Sequence, residues 1–163
     1  MSLIKRPLII TINGNKASLN EVMYFYEGDK NIDFEFTISD IKYKFNHNSG
    51  NILVDSNASF AVVKVLKPNG DKFMTERLPI DDNVVILPIT EEFADTCDEC
   101  GTYIMQIHLY SEEAEDSTGK RIQGRITVPP VNFEVYNPIF HDDKTNCGDS
   151  DILTVSCKRV VDE

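Results

Sequence analysis

Apolar and polar residues alternate with a period of two over much of this chain. The clearest run is Ile32-Asp33-Phe34-Glu35-Phe36-Thr37-Ile38, which sets four large apolar side chains on one face and Asp33, Glu35 and Thr37 on the other. That is the pattern of a half-buried strand. Residues 101–110 alternate again, with Tyr103, Met105, Ile107 and Leu109 opposite Ile104, Gln106, His108 and Tyr110. Residues 59–67 carry apolar groups on both faces, which predicts a central strand. Shorter strands are predicted at 8–12, 22–26, 72–78, 84–87, 125–128 and 131–136.

Turn chemistry separates these runs. Asn13-Gly14-Asn15 and Pro68-Asn69-Gly70-Asp71 supply the Asn-Gly pairs and the proline of tight reversals. Pro129-Pro130 cannot donate to a ladder and predicts a kink or an edge. Thr90 followed by Glu91 and Glu92 reads as an N-cap with acids in the first turn, enough for one short helical segment. Residues 46–57, rich in Asn, Ser and Gly, and the acidic residues 111–120 read as loops. After Tyr136 the periodicity fades until 152–161, so 137–163 reads as a tail with room for one further strand. The whole predicts an all-β domain over 1–136, an immunoglobulin-like β-sandwich of about seven to nine strands.

At 163 residues the chain is long enough to bury about two thirds of its unfolded surface, so a core forms without staples. No run approaches the roughly 20 apolar residues of a membrane span, and the apolar stretch near the N-terminus is too short for a signal-peptide core. The 27 acidic and 16 basic residues leave a net charge of −11, a field that repels nucleic acid and anionic lipid. Four cysteines are too few to be the main support of such a domain, and reduced thiols are expected for assembly in a cytoplasm.

Candidate chemistry is sparse. Cys97-Asp98-Glu99-Cys100 has the spacing of a zinc knuckle or redox pair. Its completing pair is missing, since Cys147 and Cys157 are too widely spaced, and Asp98 and Glu99 oppose thiolate formation. A turn leading into the next strand is the preferred reading. His47, His108 and His141 fall in no nucleophile or metal-binding spacing, and His108 reads as a surface or interface side chain. Glu112, Glu113, Glu115 and Asp116 lack the ligand alternation of a calcium loop. Asn57-Ala58-Ser59 matches a glycosylation sequon that carries little weight without a secretory signal. No catalytic, cofactor-binding or metal-binding residue is assigned, and no enzymatic activity is expected.

Five segments in order carry a resemblance: Tyr26-Glu27-Gly28-Asp29 leading into Ile32–Ile38; Ala61-Val62-Val63-Lys64-Val65-Leu66-Lys67-Pro68-Asn69-Gly70; Val84-Val85-Ile86-Leu87-Pro88; Gly101–Tyr110; and the run from Arg125 through Pro129-Pro130 to Val135. Together they resemble the N-terminal domain of phage baseplate upper proteins. The resemblance implies a structural scaffold of a virion tail baseplate, assembled in the bacterial cytoplasm. It would dock on other tail and baseplate proteins, itself included, and link them to receptor-binding components. The alternative is a carbohydrate- or protein-binding sandwich of a surface or tail-fibre protein, for which the tyrosines Tyr24, Tyr26, Tyr43, Tyr103, Tyr110 and Tyr136 are the available aromatic faces.

Overall fold

The computed structural model describes residues 3–49 and 52–138. In chain order the elements are β1 (Ile4–Asn13), β2 (Lys16–Leu19), β3 (Tyr24–Tyr26), β4 (Ile32–Ile38), β5 (Phe45–Ser49), β6 (Ile52–Ser56), β7 (Phe60–Leu66), β8 (Lys72–Met74), β9 (Leu78–Asp81) and β10 (Val84–Ile89). The helix α1 (Glu91–Thr96) follows, then β11 (Gly101–Tyr110), β12 (Ala114–Glu115), β13 (Arg121–Ile122), β14 (Arg125–Thr127) and β15 (Val131–Tyr136). The domain is all-β. Fifteen strands among the described residues exceed the seven to nine expected, because β2 pairs back on β1, β9 follows β8, and two segments read as loops fold into the β5–β6 and β12–β13 pairs.

Eleven of these strands form one curled mixed sheet in the order β2-β1-β4-β10-β9-β7-β11-β15-β3, with β14 beside β11 and β8 beside β7. Strand β9 is the link, pairing with β10 through Ile80 and Asp81 and with β7 through Leu78 and Pro79. Two pairings are parallel, β1 with β4 and β15 with β3. The curl brings its two halves face to face: Phe34 of β4 and Phe25 of β3 lie 6.5 Å apart between ring centroids.

The alternation read from the sequence sets which side is inside. Ile32, Phe34, Phe36 and Ile38 are all buried, and across the ladder Phe34 pairs with Leu87 and Phe36 with Val85. From the other half come Val63 and Val65, then Tyr103, Met105, Ile107 and Leu109, then Val131, Phe133 and Val135. Phe133 stacks on Tyr103 at 5.0 Å and on Phe25 at 5.8 Å, which adds ring complementarity to area burial.

Punctuation follows the residues. Gly70 takes φ +95 in the β7–β8 reversal, a conformation that costs other residues a clash with Cβ. Thr90 caps α1, its Oγ1 accepting from the Phe93 N–H at 3.1 Å, and the helix lowers Phe93 onto the core. Pro129-Pro130 separates β14 from β15, and both pair antiparallel with β11, at its C-terminal and N-terminal ends respectively. The prolines therefore interrupt one long neighbour of β11. The segment at 46–57, expected to be a loop, is instead mostly a hairpin, with β5 and β6 paired from Phe45↔Ser56 to Ser49↔Ile52. Its base is tied by Lys44 Nζ donating to Asn57 Oδ1 at 2.8 Å. Within the acidic loop, β12 and β13 pair over two residues each. The tail and its additional strand lie outside the described residues beyond 138.

Candidate functional site

The cysteine turn joins α1 to β11. Cys97 closes α1, donating its backbone N–H to the Phe93 carbonyl at 3.1 Å, and its thiol is buried and free. Burial pushes that thiol up to about 12, with nearby Lys67 opposing and Asp98 adding to the shift, which keeps it protonated near neutral pH. Cys100 is disulfide-bonded and Cys97 is free, so the two are not bonded to each other, and the reduced state expected for assembly in a cytoplasm does not hold for Cys100. The turn is pinned on both sides. Lys67 Nζ pairs with Asp98 Oδ1 at 2.7 Å, and the Tyr103 hydroxyl donates to the Glu99 carbonyl. Gly101 then enters β11 at φ +134 with Pro68 Cγ 3.2 Å from where a Cβ would stand.

His108 is buried, which corrects its reading as a surface side chain. Its Nδ1 lies 2.9 Å from Thr127 Oγ1, and among the described residues its Nε2 has no partner. Burial, then the charges of Lys64 and Arg125, hold its pKa below the usual histidine value. His47 lies on β5, and His141 lies outside the described residues. Two carboxylates of the acidic loop have local partners. Glu113 pairs with Arg121 at 2.6 Å, and Asp116 accepts from the Thr118 hydroxyl and from the N–H groups of Thr118 and Lys120, which lowers its pKa. Among the described residues no three His, Cys, Asp or Glu side chains converge as metal ligands, and no helix is long and apolar enough to cross a membrane.

What the fold does assemble is an outward apolar face. Cross-strand partners share a face, so the register places Tyr24 beside Glu134 and Thr102, Tyr26 beside Tyr136, and Ile104 between Asn132 and Leu66. Met74 of β8 sits beyond, opposite Lys64. Tyr24, Tyr26, Tyr136 and Ile104 are each 40–43% exposed and Met74 is 65% exposed. Among the described residues, half of the large hydrophobics that reach solvent thus stand on one side of one sheet, interleaved with Glu134, Thr102, Asn132 and Lys64.

Its densest corner is the tyrosine cluster. Ring centroids lie 6.2 Å apart for Tyr24 and Tyr26, 5.7 Å for Tyr24 and Tyr136, and 5.7 Å for Tyr26 and Tyr136, with planes inclined by 81°, 49° and 54°. Burial, followed by Glu134 and the two neighbouring phenols, raises the Tyr136 pKa. Thr102 Oγ1 donates to both Glu134 oxygens at 3.0 Å and so keeps that carboxylate at the cluster's border. Tyr24 and Tyr26 were candidates in the sequence by type, and the Tyr-Phe-Tyr alternation is the signal for their common face. Nothing local pairs them with Tyr136.

The edges of the sheet differ in how open they are. At β3 the outward main-chain groups of Tyr26 are taken by Asp29, whose side chain accepts from the Tyr26 N–H and whose own N–H donates to the Tyr26 carbonyl. At β2 the Asn20 N–H donates to the Ile9 carbonyl, and this phase turns Ser18 toward β1 and the main-chain groups of Ala17 and Leu19 outward. A cleft of about 410 Å³ opens there, lined among others by Ala17, Leu19, Val22, Pro130 and Asn132. No known family model matches the chain, and no curated protein matches it as a relative.

Proposed function

We propose that this domain is a structural scaffold of a phage or prophage tail baseplate, docking on other tail proteins. On this reading the curled sheet is an immunoglobulin-like sandwich variant in which β9 passes from one layer to the other. The observation that carries the reading is the outward apolar face of Tyr24, Tyr26, Tyr136, Ile104 and Met74. Exposed tyrosine, aliphatic and methionine side chains interleaved with polar residues on one sheet face are residue types that carry protein interfaces. The open main-chain groups of Ala17 and Leu19 at the β2 edge add a place where a partner strand can pair. The five ordered segments that resemble baseplate upper proteins supply the identity of the partners.

The experiment is coexpression with the tail proteins encoded beside it, followed by affinity purification. The wild-type chain retains a tail partner, and a Tyr24→Ala/Tyr136→Ala variant with unchanged circular dichroism loses it. A second reading, a carbohydrate-binding module, is favoured by the exposed tyrosines beside Glu134 and Asn132. Glycan-array binding that those same substitutions abolish, with no protein partner captured, would put it first.

A further inference from the structure

We infer that Tyr24, Tyr26 and Tyr136, with Glu134 at their border, form a site for a quaternary ammonium group of the choline class. The inference stands apart from the baseplate reading, because it concerns a small cation and needs no protein partner.

The geometry comes first. The three ring centroids make a triangle with sides of 6.2, 5.7 and 5.7 Å. A cation about 4–5 Å above its centre therefore lies within roughly 6 Å of every ring, the reach of a cation–π attraction. The planes are inclined to one another by 49–81°, so the three rings are directed differently rather than forming one flat platform. The three phenol hydroxyls have no hydrogen-bond partner among the described residues, which leaves the rings without a polar tether.

Charge selects the sign of the ligand. Glu134 borders the cluster and is fixed by Thr102, and the chain as a whole carries −11. Among the described residues the one side-chain cation seated over a ring is Arg77, 4.2 Å above Phe60, so no described cation covers the tyrosines. Hydrogen bonding then selects the kind of cation. A guanidinium brings five N–H donors in a planar fork, and ring faces leave most of them unsatisfied. A quaternary ammonium has no donors to satisfy and needs only ring faces and a negative surround.

The test uses the full chain, whose lack of tryptophan leaves tyrosine signals unobscured. Choline and tetramethylammonium are titrated to about 100 mM at fixed ionic strength, so that general screening stays constant, and tyrosine ring resonances are followed. The expected result is saturable shifts confined to Tyr24, Tyr26 and Tyr136, and none with 3,3-dimethylbutanol, the neutral isostere. Tyr136→Ala should weaken binding about tenfold or more, while Tyr136→Phe, which keeps the ring, stays within about threefold. Glu134→Gln should weaken it by a smaller factor. Equal binding of the neutral alcohol would reduce the site to an apolar patch and overturn the inference. So would the absence of any saturable response, a stronger response to arginine amide, or binding that survives in a folded Tyr24→Ala/Tyr136→Ala chain.

Discussion

Tyr26 lies directly opposite Tyr136 across the parallel pair β3–β15, with their rings 5.7 Å apart. One residue belongs to the first quarter of the chain and the other closes the last described strand, so this contact exists only when the sheet has curled fully. The rings are more than a third exposed, and their removal should cost the fold little. Tyr136→Ala is expected to shift stability by less than about 1.5 kcal/mol, as partly exposed positions do, while reducing partner capture. Denaturant unfolding and affinity purification of the same variant measure the two effects separately.

Phe34 gives the opposite expectation. It is 3% exposed, pairs with Leu87 and faces Phe25 across the curl. Phe34→Ala should cost about 3–5 kcal/mol through lost burial and the cavity left behind. Urea titration checks it, and a loss under about 1 kcal/mol would mean that the inward face of β4 is misassigned.

Cys97 should be nearly inert while the protein is folded. With its pKa pushed up to about 12 by burial, its thiolate fraction at pH 8 falls on the order of a thousandfold below that of a free thiol. Reaction with a disulfide reagent should therefore be slow in buffer and fast in denaturant. Prompt reaction of Cys97 in the native protein would contradict its placement under α1.

His108 links stability to pH. Burial and the nearby Lys64 and Arg125 lower its folded pKa, so the unfolded chain takes up a proton first as the pH falls. The contribution is fully present above the unfolded histidine value of about 6.5 and is lost as pH drops from there through the folded pKa. Between about pH 7 and 5.5 the wild type should lose more stability than His108→Gln, compared by denaturant midpoints. Equal losses would show that His108 titrates freely in the folded state.

The cap of α1 is a smaller, local case. Removing the Thr90 hydroxyl that accepts from Phe93 should cost about 1 kcal/mol, within the range of N-cap deletions. Thr90→Ala and Thr90→Ser compared by thermal unfolding should differ, with serine close to wild type.

Periodicity made β4 and β11 legible to the residue, because both bury every second side chain over their core-facing lengths and no neighbour competes for that signal. Thr90 and the Pro-Asn-Gly reversal were equally plain, since their conformations are dictated locally. The β5–β6 hairpin was not, because Asn46, Asn48 and Ser49 disfavour strands by propensity and are held there by pairing across the hairpin. His108 was misread for a related reason: it alternates with outward residues, yet it is buried and contacts Thr127, which is non-local in sequence. The tyrosine cluster shows the same limit. The residue types were visible, but their convergence depends on the parallel pairing of β15 with β3, which no local spacing encodes.

The most direct measurement of the docking account is copurification of the full chain with the tail proteins encoded beside it, at low salt and at about 0.5 M, where the screening length is only a few ångströms. The account predicts a complex that persists at high salt, because its contacts are apolar and main-chain, and that is lost when Tyr24 and Tyr136 are replaced by alanine. Failure to retain any tail protein, together with absence of the chain from purified particles, would contradict it.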